Sequence, residues 1–355
     1  MKASRGWTVA GAMAIMAGFA AGGAWAQGPL NPPGPPLASM KTLAQIHAQA
    51  VLAEPRTALS AENTPGQSNY VYAVTNPGSY YLTGNLTATN GGILVLADDV
   101  TIDLCGFRIE GDPAVKHQGV MLYGNNVEIR GGTVARFGLW GIGYGGGSFG
   151  GNCRMVDLRL INNTDGGVLL NDHGHVARCT VVSNLGYGIS VDDACMIEDN
   201  VASYNGSEGI ETSMNCLIRG NTARYNGADG IEVYEGCSVE GNVVAYNTQA
   251  GIWSSNNSSV RDNVAYRNNQ GALTNRGGIY APVGCNVVGN TLTDNQVNGI
   301  YVYNYDTVVE NNFICGSPTG IHFRVSGSLY VNNRFSDCAT PVGGTATDGG
   351  GNLSF

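Results

Sequence analysis

Charge is what this chain has least of. Only 13% of its 355 residues are Asp, Glu, Lys or Arg, too few to coat many surface helices, which favours an all-β or repeat architecture. Basic residues are the scarcer sign: 18 Lys and Arg stand against 27 Asp and Glu, for a formal charge of −9. That balance argues against nucleic acid and against unassisted binding of polyanions. Beyond the first 26 residues the chain lacks any apolar run long enough to cross a membrane. Glycine is abundant instead, with 53 residues.

The first 26 residues read as targeting. Lys2 and Arg5 precede an apolar Ala/Gly/Met-rich run from about Thr8 that ends in Ala24-Trp25-Ala26, the charged start, apolar middle and small-x-small end of an export signal. The mature chain is predicted to begin at Gln27, in a bacterial periplasm or outside the cell, with no stable membrane anchor. Losing Lys2 and Arg5 takes the charge to −11. Residues 28–38, GPLNPPGPPLA, form a linker. An amphipathic helix is predicted from Met40 to about Leu52, ending before Glu54-Pro55 and covering one end of the fold that follows.

A repeat organises the rest. Gly-Val or Gly-Ile recurs at Gly167, Gly188, Gly209, Gly230, Gly251, Gly278, Gly299 and Gly320, at intervals of 21, 21, 21, 21, 27, 21 and 21 residues. Within one repeat Ile231 and Val233 alternate with Glu232 and Tyr234, then Cys237 and Val239 with Ser238 and Glu240. Period two over four or five residues means short strands. Three strands per 21-residue rung, each pairing with its equivalent in the next rung, predict a right-handed parallel solenoid. It is expected over 70–340, after a signal (1–26) and a linker with helix (27–69). Residues 341–355 are expected as a loose Gly-rich cap or tail, leaving an edge open to another chain.

Two asparagine columns accompany the repeat. Asn200, Asn221, Asn242, Asn263, Asn290, Asn311 and Asn332 are predicted to share one bend, and Asn163, Asn184, Asn205, Asn226, Asn247, Asn268 and Asn295 another. An amide at such a bend accepts from one neighbour and donates to the next, which is a folding role.

These Gly-Ile openings and asparagine columns resemble the right-handed parallel β-helix repeat family. The resemblance extends to Gly78-Ser79-Tyr80-Tyr81-Leu82-Thr83-Gly84-Asn85-Leu86 and Asp99-Val100-Thr101-Ile102-Asp103-Leu104. It implies an architecture shared by pectate lyases, polygalacturonases, mannuronan epimerases, NosD-type periplasmic proteins and tailspikes, and hence a carbohydrate-active protein or a non-catalytic envelope or glycan-binding one. The Asp-Pro-His signature of the epimerases and the paired-Asp signature of the polygalacturonases are absent.

The repeat also sorts the nine cysteines. Cys153, Cys195, Cys216, Cys237 and Cys285 fall in one inward column with Gly174 and Ser258, which predicts stacked thiols. Cys105 and Cys179 replace members of the asparagine bend. Cys315 and Cys338 lie one rung apart outside the inward column and are the best disulfide candidates.

The outward positions of the strand that opens each rung carry the candidate chemistry. One column reads Leu169, Ser190, Glu211, Glu232, Trp253, Tyr280, Tyr301, His322, and the next Asn171, Asp192, Ser213, Tyr234, Ser255, Pro282, Tyr303, Arg324. Seven rungs from Ser190 to His322 span about 29 Å at one strand spacing per step, room for a short oligosaccharide. The six-residue excess at 270–276 is predicted to raise a wall beside this face. Trp253, Tyr280, Tyr234 and Arg276 are the predicted substrate contacts, and Trp253, Tyr280 and Tyr301 the stacking platforms for sugar faces.

Two constellations lie on the face. At one end Glu211 and Glu232 adjoin, with Asp192, Asp193, Glu208, Asp229 and Glu235 near. Such carboxylates serve either as acid and nucleophile in glycoside hydrolysis or, as Asp192, Glu211, Asp229 and Glu232, as a Ca²⁺ site. At the other end Tyr301, Tyr303, His322 and Arg324 offer a base, an acid and a cation, the set that proton abstraction beside a uronate carboxylate needs. The expected partner is therefore a polysaccharide or oligosaccharide. Glu198, Arg219, Glu240 and Arg261 read as a surface ion-pair ladder, and Tyr204, Tyr225 and Tyr246 as packing.

Overall fold

The computed structural model describes residues 41–46, 54–146 and 151–355. The export signal and most of the predicted helix lie outside these residues. Of the helix, residues 43–46 are described, and their first turn is closed reciprocally. Thr42 N–H donates to Gln45 Oε1 at 2.9 Å and Gln45 N–H donates to Thr42 Oγ1 at 3.1 Å, which is the S/T-x-x-E/Q cap.

From Thr57 to Ser354 the chain is a coil of short parallel strands in three columns. The first column forms a 13-stranded front sheet, from Tyr70–Val74 to Thr340–Gly344. The other two merge into one 25-stranded sheet, because Val127–Ala135 and Arg154–Ile161 run unbroken through the bend that elsewhere separates them. The register of the front sheet follows the repeat: Val168 pairs with Ile189, Ile189 with Ile210, Ile210 with Ile231 and onward to Val342. These side chains point inward and are buried, except that Val342 in the last rung is only partly so. Stacking β-branched residues at one strand spacing fills the interior along its length. The last rungs close it with larger groups, Phe323, Phe335 and Tyr330.

The asparagine ladders form as predicted through the repeat. Asn221 Nδ2 donates to Asn242 Oδ1 at 3.0 Å and to the Ile197 carbonyl at 2.8 Å, and its backbone N–H reaches the same Asn242 oxygen at 2.8 Å. Each amide is thereby satisfied out of reach of water. The first ladder departs from expectation at its end. Asn290 is followed by Asn312, Asn333 and Asn352, not by Asn311 and Asn332. One residue added before Thr307 shifts the register, and Asn311 and Asn332 take the neighbouring left-handed position at φ 56° and 55°.

All nine cysteines are free. Cys195, Cys216 and Cys237 accept the backbone N–H of the preceding rung on sulfur, and Ser258 continues the column with its hydroxyl. The proposed Cys315–Cys338 bridge is not present. Cys338 follows Ser317 in the second asparagine column and packs on the core, whereas Cys315 alternates with buried Ile314 and points outward to Asp337. Cys179 takes an asparagine position, while Cys105 is exposed.

The closing segment is a turn of the coil rather than a tail. Thr340–Gly344, 347–348 and 353–354 pair with the preceding rung. In earlier rungs the glycine that opens the strand sends its N–H forward, as Gly188 does to Glu208, Gly209 to Asp229 and Gly230 to Ala250. In this last rung that position is Pro341, which has no N–H to send.

Candidate functional site

The front sheet has three outward columns where the repeat had been read as two. The third lies just before the opening glycine and runs Gly166, Tyr187, Glu208, Asp229, Ala250, Gly277, Asn298. Glu208 and Asp229 had been noted as neighbours only; their place one step before the Gly-Ile pair was the signal that they share a column.

This column rearranges the acidic end. Carboxylate oxygens of Glu208, Asp229 and Glu232 lie within 4.8 Å of one another. Glu211 is in register with Glu232 on the adjacent strand and accepts a 2.8 Å hydrogen bond from Ser190 Oγ. Asp192 is turned away, accepting from the Tyr144 hydroxyl at 3.1 Å. The four-residue metal set is therefore corrected: Asp192 and Glu211 are engaged elsewhere, and Glu208 joins Asp229 and Glu232.

Burial governs the protonation of this cluster. Asp229 is only 3% exposed; desolvation pushes its carboxyl up to about 7, against the opposing Arg276 charge and the Ala250 N–H it accepts at 2.5 Å. Glu232 is also raised to about 7, first by burial and then by the charges of Asp229, Glu208 and Glu211. Glu211 moves up as well through burial, restrained by the Ser190 hydroxyl. Near neutrality the cluster thus holds protons that ordinary carboxylates have released.

Arg276 comes from the six-residue insert, as expected. The insert is anchored by Asn298 Nδ2, which donates to the carbonyls of Thr274 and Arg276 at 3.1 and 2.8 Å. Its guanidinium lies 5.0 Å over the Tyr280 ring, and its Nε is buried without a hydrogen-bond partner. Calcium prefers about six to eight oxygen ligands. Three carboxylates supply part of such a shell, but Arg276 already places a cation beside them.

The aromatic column is in register and stacked on itself. Ring centroids from Trp253 to Tyr280, Tyr280 to Tyr301 and Tyr301 to His322 are 5.4, 5.9 and 5.2 Å apart, with planes within 13° of parallel. Tyr280 and Tyr301 are each 7% exposed. The expectation that Tyr280 and Tyr301 offer sugar platforms is therefore corrected: both faces of each ring are covered by neighbouring rings. The other face of Trp253 carries no stacked ring; it is turned toward Glu232, its partner on the adjacent strand, and Tyr234 stands edge-on at 6.1 Å.

At the far end Tyr301, Tyr303, His322 and Arg324 are brought together as predicted. Arg324 is exposed, lies 4.3 Å over the Tyr303 ring, and has no carboxylate partner among the described residues. Burial raises the Tyr301 hydroxyl above its ordinary value.

Other surfaces are accounted for by pairing. Arg219 meets Glu198 at 2.5 Å and Arg261 meets Glu240 at 2.6 Å, two pairs instead of one continuous ladder. His175 is bound to Glu198 at 2.9 Å.

Residues 166–314 match the family described as the right handed beta helix region. The chain is a right-handed parallel β-helix. No curated protein matches its sequence. Among solved structures this β-helix is similar to the A-module of the Azotobacter vinelandii mannuronan C-5 epimerase AlgE4, with a TM-score of 0.57 at 15% identity over 86% of this chain and 94% of that one. It is also similar to a mutant of the periplasmic alginate epimerase AlgG, with a TM-score of 0.55 at 13% identity over 76% and 77%. A tailspike of E. coli bacteriophage HK620, solved with a pentasaccharide, gives 0.51 at 13% identity over 86% and 68%. At such identities the likeness is one of fold alone. No helix among the described residues is long and apolar enough to cross a membrane.

Proposed function

We propose that this β-helix acts on an extended polysaccharide laid along its front sheet, cleaving a glycosidic bond between Glu232 and Glu211. The observation that carries this reading is the in-register pair itself, Glu211 beside Glu232 on the outward face, with Glu232 raised to about 7 first by its burial and then by the charge of Asp229. Neighbouring strands are about 4.8 Å apart, close to the roughly 5 Å separation of carboxyls in retaining glycosidases. Glu232 would give its proton to the glycosidic oxygen as that C–O bond breaks. Glu211, its charge held by Ser190, would bond to the anomeric carbon until water releases the sugar and returns a proton to Glu232. Trp253 supplies a sugar platform next to the pair. The fold's occurrence in polysaccharide epimerases and a tailspike supports the ligand class. The Lys2/Arg5 start and the Ala24-Trp25-Ala26 end support action in the periplasm or outside the cell.

A second reading rests on Arg324. An exposed cation without a carboxylate partner beside Tyr301 and His322 suits a uronate carboxylate, and with it elimination or epimerisation at the far end.

One experiment separates these readings. The protein is incubated with neutral and uronate polysaccharides while reducing ends and unsaturated-uronide absorbance are followed together. Reducing ends that vanish in Glu232→Gln support hydrolysis. Absorbance that survives Glu232→Gln and is lost in His322→Ala moves the chemistry to the far end. With neither signal, proton NMR of the recovered uronate polymer tests for epimerisation, and an unchanged polymer makes the reading a non-catalytic glycan-binding or envelope protein.

A further inference from the structure

The exposed tyrosines of the third strand column are unexplained by the site above. Tyr204, Tyr225 and Tyr246 hold φ of 56°, 55° and 57°, a left-handed region that bulky side chains avoid and that Gly or Asn enters readily. Burial does not compensate, since Tyr204 is 56% and Tyr225 40% exposed. At the neighbouring left-handed bend the coil uses better suited residues, Asp199, Gly220, Gly241 and Asp262. The tyrosine rings nevertheless stack 4.9 and 4.8 Å apart, within 7° of parallel. Neither backbone preference nor the core selects tyrosine here, which leaves the outward aromatic row itself as what these residues provide.

The row ends in a pocket. Tyr266 meets Tyr246 edge-on at 5.3 Å, and Arg267 lies 5.0 Å over the Tyr266 ring. Beside them a cavity of about 500 Å³ opens between Tyr246, Arg267, Gln270, Asp294 and Gln296. Arg267 is paired with Asp294 at 3.5 Å, so the pocket is close to neutral. What it offers is a mixture of amide, guanidinium and carboxylate groups able to donate to and accept from hydroxyls. This differs from the front sheet, where Arg324 is without a carboxylate. Gln270 begins the same insert whose Arg276 reaches the front sheet.

We infer that the tyrosine row and the pocket at its end form a second carbohydrate-binding surface for a neutral, hydroxyl-rich glycan. The glycan runs along the solenoid axis past Tyr204, Tyr225 and Tyr246 and seats one sugar against Gln270 and Gln296. A row repeating at every rung presents ring edges 4.8–4.9 Å apart, a spacing comparable to that of successive sugars in an extended chain. The ligand class rests on the polysaccharide reading of the front sheet; the residues do not.

The test is binding of hexasaccharides of β-linked glucose, mannose and xylose, and of a mannuronate hexasaccharide, followed by saturation-transfer NMR on the full chain. At least one neutral hexasaccharide is expected to keep binding in Trp253→Ala, where the front-sheet platform is gone, and that remaining binding should be tenfold or more weaker when Tyr225→Ser or Gln296→Ala is added and unchanged when Tyr225→Phe is added. Circular dichroism confirms that each variant is folded. The inference is overturned if no neutral hexasaccharide binds, or if binding persists in Tyr225→Ser and Gln296→Ala. Loss only in Trp253→Ala would likewise sink it while supporting the front sheet. Failure of the front sheet reads out separately, as mannuronate binding and turnover that ignore both Trp253→Ala and Glu232→Gln.

Discussion

The Trp253 indole lies flat against the Tyr280 ring, with centroids 5.4 Å apart and planes 6° from parallel, so one face of the indole is spent on packing and the other looks toward Glu232. The two aromatics are therefore expected to fail differently. Trp253→Ala should weaken glycan binding by about 1–3 kcal/mol, the scale of a lost stacking platform, with a small change in stability. Tyr280→Ala should instead cost on the order of 3 kcal/mol of stability. Titration calorimetry and urea unfolding on both variants separate the roles; equal binding losses with no stability change would contradict this assignment.

Asp229 and Glu232 make the protein less stable as pH rises. Each carboxyl sits at about 7 when folded and near 4 in an unfolded chain. The folded state thus binds the extra protons. Their contribution is full below about pH 4 and is lost as pH climbs through about 7. Asp229→Asn, which keeps an acceptor for the Ala250 N–H, should be more stable than the parent at pH 8 by on the order of 2 kcal/mol and no more stable at pH 4. Thermal melts across pH decide it, and any hydrolytic activity should fall over the same window above neutrality.

Asn312 and Asn311 test the shifted ladder directly. Asn312→Ala orphans the Asn290 amide in a buried bend and should cost about 2–3 kcal/mol. Asn311→Ala, at an exposed position, should stay within about 0.5 kcal/mol of the parent. The reverse order in denaturant midpoints would restore the 21-residue spacing.

Cys237 is expected to tolerate serine better than valine. Ser258 already fills the equivalent place and accepts the Cys237 N–H at 3.3 Å, so Cys237→Ser keeps an acceptor. Cys237→Val leaves the Cys216 N–H unpaired and should cost about 1–3 kcal/mol. A thiol reagent should label Cys105 in the native protein and the inward column only after unfolding.

Calcium is expected to do little while Arg276 is in place. With its charge next to Asp229 and Glu232, 5 mM Ca²⁺ (roughly the level that would fill a weak extracellular site) should leave the melting temperature at its value in chelator. Arg276→Gln removes the resident cation, and its melting temperature should then rise with calcium. A calcium-dependent rise in the parent protein would return the cluster to a metal site.

What was legible in the sequence was whatever repeats. The Gly-Ile spacing gave the register of eight rungs, and the alternation within each gave which side chains face out, so Glu211, Glu232, Trp253, Tyr280, Tyr301 and His322 fell into one column as read. Failures came where a single residue broke the period or where a side chain chose among neighbours. One added residue near Thr307 moved the ladder from Asn311 to Asn312. Asp192 turned to Tyr144, a contact 48 residues away in sequence. Ring orientation was also invisible: spacing placed Tyr280 outward, but only packing put its faces against Trp253 and Tyr301. The rungs before Gly167 lack the regular interval, and 21 residues after Gly320 the opening glycine is replaced by Pro341, so the coil's extension to Thr57 and Ser354 went unread.

Pro341 carries a consequence beyond its own turn. A solenoid resembles a crystal in one dimension, every layer a seed for the one after it, and nothing in its interior says when growth should end. A proline set where each earlier layer presents a donor acts as a growth poison on the terminal face. The edge of the front sheet at Thr340–Gly344 is therefore one donor short as a template for a further strand.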